Sequence, residues 1–200
     1  MNENEPALAL IEFSSIAVGI QAADAMVKKA PIARIVSGTT QPGKYLVMIA
    51  GGVAEVQESL EAGRQVGRDC LLDVVLLPAV HPAVVAALGG DRVRGQGEAL
   101  GVIETRQVAA TIQAADAGVK GAQVTIREIR VADGLDGRGL CLFQGSVADV
   151  EAAVEIGLAA LPDAGQLVRQ VVIPQLHEEM TANLDQSTYF GSRAGRERGW

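Results

Sequence analysis

The apolar positions of this chain alternate between strand and helix rhythm, and the whole series occurs twice. Ala7 to Phe13 reads as a strand, and Ser14 or Ser15 can cap the helix that follows. In that helix Ile16, Ile20, Ala23 and Val27 fall on one face at helical spacing, and Pro31 stops it. A strand near Ala33–Ser37, a loop rich in Gly, Pro and Thr, and a β run from Tyr45 to Ile49 come next. After Gly51-Gly52 a second helix carries Val53, Val56 and Leu60; Leu71–Leu77 is an apolar strand ending at Pro78, and His81–Leu88 forms a short helix. The second series repeats these features in order. Its first helix carries Val108, Ile112, Ala115 and Val119, strands follow at Ile126–Ala132 and Leu140–Gln144, and a helix carries Val147, Val150 and Val154. Leu167–Ile173 then ends at Pro174, and His177–Leu184 closes the copy. Each copy is β-α-β-β-α-β with a short terminal helix, which predicts an α+β domain with a four-stranded antiparallel sheet, related to the ferredoxin-like plan.

The repetition extends to identity. Ile20 to Ala25 recurs letter for letter as Ile112 to Ala117, and residues 11–30 match 103–122 at twelve of twenty positions without a gap. The offset grows from 92 at Lys28/Lys120 to 94 at Gly51/Gly145 and 96 at His81/His177, each step falling between periodic segments, as when only loops change length. The period is too long for a solenoid, so each copy is a small domain. The predicted domains are 7–88 and 99–184, with a Gly-rich linker at 89–98 and a tail at 185–200 that lacks periodicity, carries Arg193, Arg196 and Arg198, and is expected to be disordered. Three copies of the chain would present six nearly equivalent modules.

Composition narrows the function classes. Of 200 residues, 48% are hydrophobic but only 3% aromatic, so the cores must be built from Ala, Val, Leu and Ile, leaving apolar surface for a partner subunit. A net charge of −7 with few aromatics argues against nucleic acid, which requires basic stripes and stacking platforms. No apolar run reaches the roughly 18 residues of a membrane span, and the start lacks a basic signal region, so a cytoplasmic protein is expected.

Catalytic and metal chemistry find no constellation. His81 and His177 occupy equivalent positions after a Pro-x-x turn and read as caps of the terminal helices. Cys70 and Cys141 read as small buried hydrophobes, and the Gly-x-Gly stretch at 95–97 does not open a helix within a βαβ unit. Carboxylates read as solvated helix faces, with Asp24–Lys28 and Asp116–Lys120 as i,i+4 pairs. The two mid-domain loops differ. Ser37–Lys44 and Ala132–Arg138 connect equivalent strands, share almost no side chains, and both end in Gly plus a basic residue. They are either unremarkable turns or equivalent positions of an assembly with distinct chemistry.

Ala7-Leu-Ala-Leu-Ile-Glu12, Ala22-Ala-Asp-Ala-Met-Val-Lys28, Gly51-Gly-Val-Ala-Glu-Val56 and Ile173-Pro-Gln-Leu-His177 resemble the bacterial microcompartment (BMC) shell domain, in both halves and over about residues 7–184. The chain resembles the tandem-domain, unpermuted branch, and through Gln41-Pro-Gly-Lys44 and His81-Pro82 the tandem shell proteins of propanediol-utilisation compartments. The resemblance implies a homotrimer mimicking a hexagonal tile, packed edge to edge with hexameric and pentameric shell proteins around enclosed enzymes. It places Thr40, Gln41, Pro42 and Gly43 of one loop and Leu135, Asp136 and Gly137 of the other at a central pore for small polar metabolites. It puts Lys28 and Lys120 at the tile edge; on the residues alone, ordinary lysines paired with Asp24 and Asp116 are an equal reading. Two departures matter. The position of an iron–sulfur-binding cysteine holds Gln41, and clusters require thiolates, so no cofactor or metal is expected. The family's edge arginine is Ala79 in one copy and Gln175 in the other. The alternative to a shell tile is a trimeric ferredoxin-like ligand-binding or regulatory protein. An enzyme is not expected.

Overall fold

The computed structural model describes residues 7–94, 97–186 and 188–189. In the first half β1 (Ala7–Phe13), α1 (Ile16–Lys29), β2 (Arg34–Thr40), β3 (Lys44–Gly51), α2 (Val53–Val66), β4 (Leu71–Leu77) and α3 (Pro82–Leu88) follow in order. The second half repeats them as β5 (Ala99–Thr105), α4 (Val108–Gly121), β6 (Thr125–Val131), β7 (Gly139–Gly145), α5 (Val147–Ala159), β8 (Leu167–Ile173) and α6 (Glu178–Gln186). This is the predicted α+β plan, twice. Each sheet is four-stranded and antiparallel, ordered β2-β3-β1-β4 and β6-β7-β5-β8.

The central position of β1 explains its apolar sequence, interrupted only by Glu12, because both of its faces are covered. Ala7, Ala9, Ile11 and Phe13 face α1 and α2, packing with Ala22, Ala23, Met26, Val56 and Leu60. Leu8 and Leu10, on the opposite face, join a second core that crosses the domain boundary. In it Val75, Leu77, Val84 and Ala87 of the first half pack with Val108, Ala109 and Ile112 of α4. The halves are therefore fused through a continuous hydrophobic core. Near the end of the linker Gly97 adopts φ +115, where a Cβ would lie 2.3 Å from the Gly145 carbonyl oxygen.

Three local features depart from expectation. β2 runs on through Gly38 to Thr40, so the first loop shrinks to Gln41–Gly43, whereas the second spans residues 132–138. Gly38 therefore sits in a strand and serves no turn. Second, β6 carries a register shift between Ile126 and Glu128 that leaves Arg127 as an extra residue. Arg127 is buried, donating to Gln144 Oε1 at 2.7 Å and to the Thr181 carbonyl at 3.0 Å, and pairing with Asp185. Third, ordered structure passes the boundary drawn at 184. α6 ends at Gln186, Arg130 donates to the Thr188 carbonyl and lies 4.3 Å from the centre of the Tyr189 ring. Anchoring arginines on β6 hold this segment without apolar periodicity. Arg193, Arg196 and Arg198 lie outside the described residues.

Candidate functional site

The two mid-domain loops meet. Thr40 Oγ1 donates to Asp133 Oδ1 at 3.1 Å, and Lys44 Nζ donates to the Gly137 carbonyl at 3.1 Å. Gly137, at φ +71, packs so tightly that a Cβ would fall 2.6 Å from the Gln41 carbonyl oxygen. Ala132 and Asp136 also adopt positive φ, giving the second loop a compact coiled path. Gln41, Pro42, Gly43 and Asp136 are exposed, Leu135 is half-buried, and Thr40 and Gly137 are buried between the loops. Gln41, Leu135, Asp136 and Arg138 line one cavity, with Glu104 at its wall. Of the expected pore residues, Thr40, Gln41 and Gly137 thus touch or bond across the two loops.

Behind the loops lies a polar cluster that the sequence reading missed. Glu12 is completely buried at the end of β1, and its Oε1 accepts the Ala109 amide of α4 at 2.7 Å. α4 has no side-chain cap of its own, since Gln107 makes none, whereas α1 is capped by Ser15 accepting from Val18. A carboxylate of the first domain therefore caps the second domain's helix, where the exposed amides and helix dipole favour negative charge. Lys44 Nζ bonds the other Glu12 oxygen at 3.5 Å and also bonds Gln107 Oε1. Asp73 stands opposite Glu12 on β4. Burial raises the Glu12 pKa above its ordinary 4.5, opposed by the Ala109 hydrogen bond and by Lys44. Burial likewise raises Asp73, against the pull of the Val74 and Ala110 amides and Lys44. The signal was present in the sequence: a carboxylate inside an apolar strand, repeated as Glu104. In the second copy Arg138 donates to Glu104 at 3.0 Å, and Arg169 takes the place opposite that Asp73 holds in the first.

The same joint has an outer end. α4 starts beside the loops and runs about 21 Å over its 14 residues, so Asp116 and Lys120 lie far from them. Asp116 Oδ1 accepts the His81 amide at 2.8 Å, and Lys120 Nζ donates to the Ala79 carbonyl at 2.5 Å while pairing with Asp116. Lys28, at the equivalent end of α1, pairs only with Asp24 among the described residues and is exposed. Both predicted i,i+4 pairs form, but Asp116 is buried in the joint, not solvated.

The histidines cap α3 and α6: His81 Nδ1 accepts from the Ala83 amide and His177 Nδ1 from the Glu179 amide. Cys141 is buried, and burial raises its thiol pKa; Cys70 is half-buried. Among the described residues no group of three or more His, Cys, Asp or Glu is placed to hold a metal, and no helix is long and apolar enough to cross a membrane.

A duplicated β-α-β-β-α-β unit, its halves packed head to tail across a trans-capped helix with their loops clamped together, defines a tandem-repeat α+β protein. The BMC domain model matches residues 7–80 and 99–176, and the chain belongs to that family. It is 38% identical over 174 residues to the bacterial microcompartment shell protein PduT of Citrobacter freundii, covering 87% of this chain and 95% of that one. The shell protein EutM of Escherichia coli K12 is 42% identical over 85 residues, 42% of this chain and 84% of EutM, as expected for one repeat against a single-domain relative. Among solved structures, a microcompartments protein from Desulfitobacterium hafniense DCB superposes with a TM-score of 0.76 at 40% identity, covering 88% of this chain and 98% of that chain.

Proposed function

We propose that the chain is a structural, non-catalytic shell component of a bacterial microcompartment in the cytoplasm, closing as a homotrimer into a six-domain tile. One observation carries this reading: equivalent positions in the two halves differ in exposure wherever a second joint would cover them. On α4, Val108 and Ile112 are 0% exposed beneath the first domain; their α1 counterparts Ile16 and Ile20 are 38% and 53% exposed. Conversely, Val75 and Val84, which form the first domain's side of the joint, are 3% and 0% exposed; the second domain's Val171 and Met180 are 43% and 50%. The chain thus carries one satisfied joint and, at its two ends, the complementary halves of another. A heterologous contact of this kind either closes a ring or runs on as a filament. Fully burying each such side chain contributes about 1.5–3 kcal/mol. Three chains give six domains, the number that lets a tandem chain share a layer with hexameric and pentameric shell proteins around enclosed enzymes.

In such a ring the clamped loops surround the axis. Thr40, Gln41, Pro42 and Gly43 alternate there with Leu135, Asp136 and Gly137. Lys44 and Arg138 are held in ion pairs with Glu12 and Glu104, so Asp136 and the Gln41 amide set the lining. Such a lining suits small polar metabolites. α1 and α4 run outward from the loops, which supports a tile-edge role for Lys28 and Lys120. Lys120 uses two donors within the chain, and an ammonium has three, leaving one for a neighbouring tile.

Light scattering tests the reading. The expected mass is three times 20.8 kDa, or twice that if trimers stack, with layers forming at high concentration. A stable monomer at micromolar concentration overturns it, and discrete trimers that never form layers favour a ligand-binding or regulatory trimer instead.

A further inference from the structure

The outer end of the joint points to a specific contact between chains that the tile reading does not supply, although it rests on that reading. Within the chain, α4 holds the turn at Pro78–His81 by its backbone. Asp116, 4% exposed, accepts the His81 amide hydrogen at 2.8 Å, and Lys120 Nζ donates to the Ala79 carbonyl at 2.5 Å. Both bonds are charge-assisted, and both reach main-chain groups, so they are indifferent to the side chain at position 79.

Every part of this contact exists a second time without its counterpart. α1 carries Asp24 and Lys28 at the positions of Asp116 and Lys120; Asp24 lies in the stretch where the repeats agree letter for letter from Ile20 to Ala25, and Lys28 follows three residues after its end. The turn at 174–177 repeats Pro-x-x-His with Gln175 in place of Ala79, and each turn leads into a helix capped by its histidine Nδ1. Asp24 and Lys28 side chains are 57% and 72% exposed and bond only each other among the described residues. Pro174, Gln175 and His177 are exposed, and among the described residues no hydrogen bond is made by the His177 amide or the Gln175 carbonyl. A single chain cannot bring the two together, because its second domain already presents α4, and not its own turn, to the first domain.

We propose that Asp24 and Lys28 grip the Pro174–His177 turn of a second copy of this chain, Asp24 accepting the amide of His177 and Lys28 donating to the carbonyl of Gln175. The occupant is fixed by the intrachain joint, which is the same contact made once already. The staple accounts for an aspartate and a lysine recurring unchanged at both helix ends, although only one of the pairs is engaged within the chain. It also explains how the ring tolerates Ala79 and Gln175 as unlike residues at equivalent places.

Subunit exchange between differently labelled full-length rings tests this. Asp24→Ala removes an exposed side chain from the isolated chain, so the circular dichroism spectrum of the folded protein should be unchanged. Its rings should exchange subunits at least ten times faster than the wild type, and Lys28→Ala rings faster by a smaller factor. Asp24→Asn keeps an acceptor oxygen and should fall between wild type and Asp24→Ala. Wild-type rings with an unaltered exchange rate in Asp24→Ala overturn the staple and leave the trimer standing. A wild-type protein that remains at 20.8 kDa overturns the ring and the staple together. An unchanged exchange rate combined with lost layer formation assigns Asp24 to contacts between tiles and overturns the staple.

Discussion

Glu12 Oε1 accepts the amide of Ala109 at 2.7 Å across 97 residues of sequence, so a strand of the first domain completes the first turn of a helix in the second. Removing the carboxylate leaves the buried Ala109 amide without its acceptor and takes from Lys44 its ion-pair partner, although Lys44 keeps Gln107 and the Gly137 carbonyl. Glu12→Ala should lower unfolding stability by about 2–4 kcal/mol, as when one partner of a buried charged pair is deleted. Glu12→Gln keeps an acceptor of the same shape and should cost about half as much. Urea unfolding of the two variants checks the order.

The same residue predicts a pH dependence. Its folded pKa is raised above the ordinary 4.5, so the folded state binds its proton more tightly than the unfolded chain. That contribution is fully present below pH 4.5 and is lost as pH rises through the raised value. The gap between wild type and Glu12→Gln should therefore move in favour of wild type as pH falls from 8 toward 4.5, then level off. A gap that moves the other way would mean that Lys44 and the Ala109 amide outweigh burial.

Ile20 and Ile112 are the same residue in the same repeat, 53% and 0% exposed. Ile20→Glu should fold with near-normal thermal stability and stay at 20.8 kDa, because its damage falls on the contact between chains. Ile112→Glu buries an unpaired charge and should cost more than about 3 kcal/mol. Light scattering together with calorimetry separates the two.

Two glycines should differ sharply. At Gly97, positive φ and a backbone oxygen 2.3 Å from the added Cβ leave nothing free to yield, so Gly97→Ala should cost at least about 2 kcal/mol. At Gly63 the obstacle is the flexible end of Met26, 2.6 Å away. Met26 can swing aside, and alanine favours the helix, so Gly63→Ala should change stability by less than about 1 kcal/mol. Thermal melts of both variants check this.

A ring that gathers three copies of the first loop gives Gln41 a chemical test. Anaerobic reconstitution with iron and sulfide should produce no visible-region charge-transfer band in the unmodified protein. Gln41→Cys, which supplies three thiolates around one axis, should gain such a band. A band from the unmodified protein would require thiolates from Cys70 or Cys141, and Cys141 is sealed in β7.

What the sequence determined by itself is the local and repeated order. Strand and helix periods, turn residues and the duplicated motifs give two copies of one α+β unit, because hydrophobic period and backbone chemistry act over a few residues. The histidine caps and the Asp24–Lys28 and Asp116–Lys120 pairs were legible for the same reason. The burial of Asp116 was not, and that of Glu12 showed only as a carboxylate inside an apolar strand, with nothing to name its partner. Their partners lie 97 and 35 residues away, and the patterning of a strand or helix face cannot distinguish a solvated carboxylate from one that meets another domain's backbone amide. Tertiary structure alone decided that the two loops clamp each other and that Arg127 anchors α6. It also decided that matching residues on α1 and α4 end up on opposite sides of the water boundary. One chain has two ends to a joint it can make only once, so identical sequences meet different surroundings.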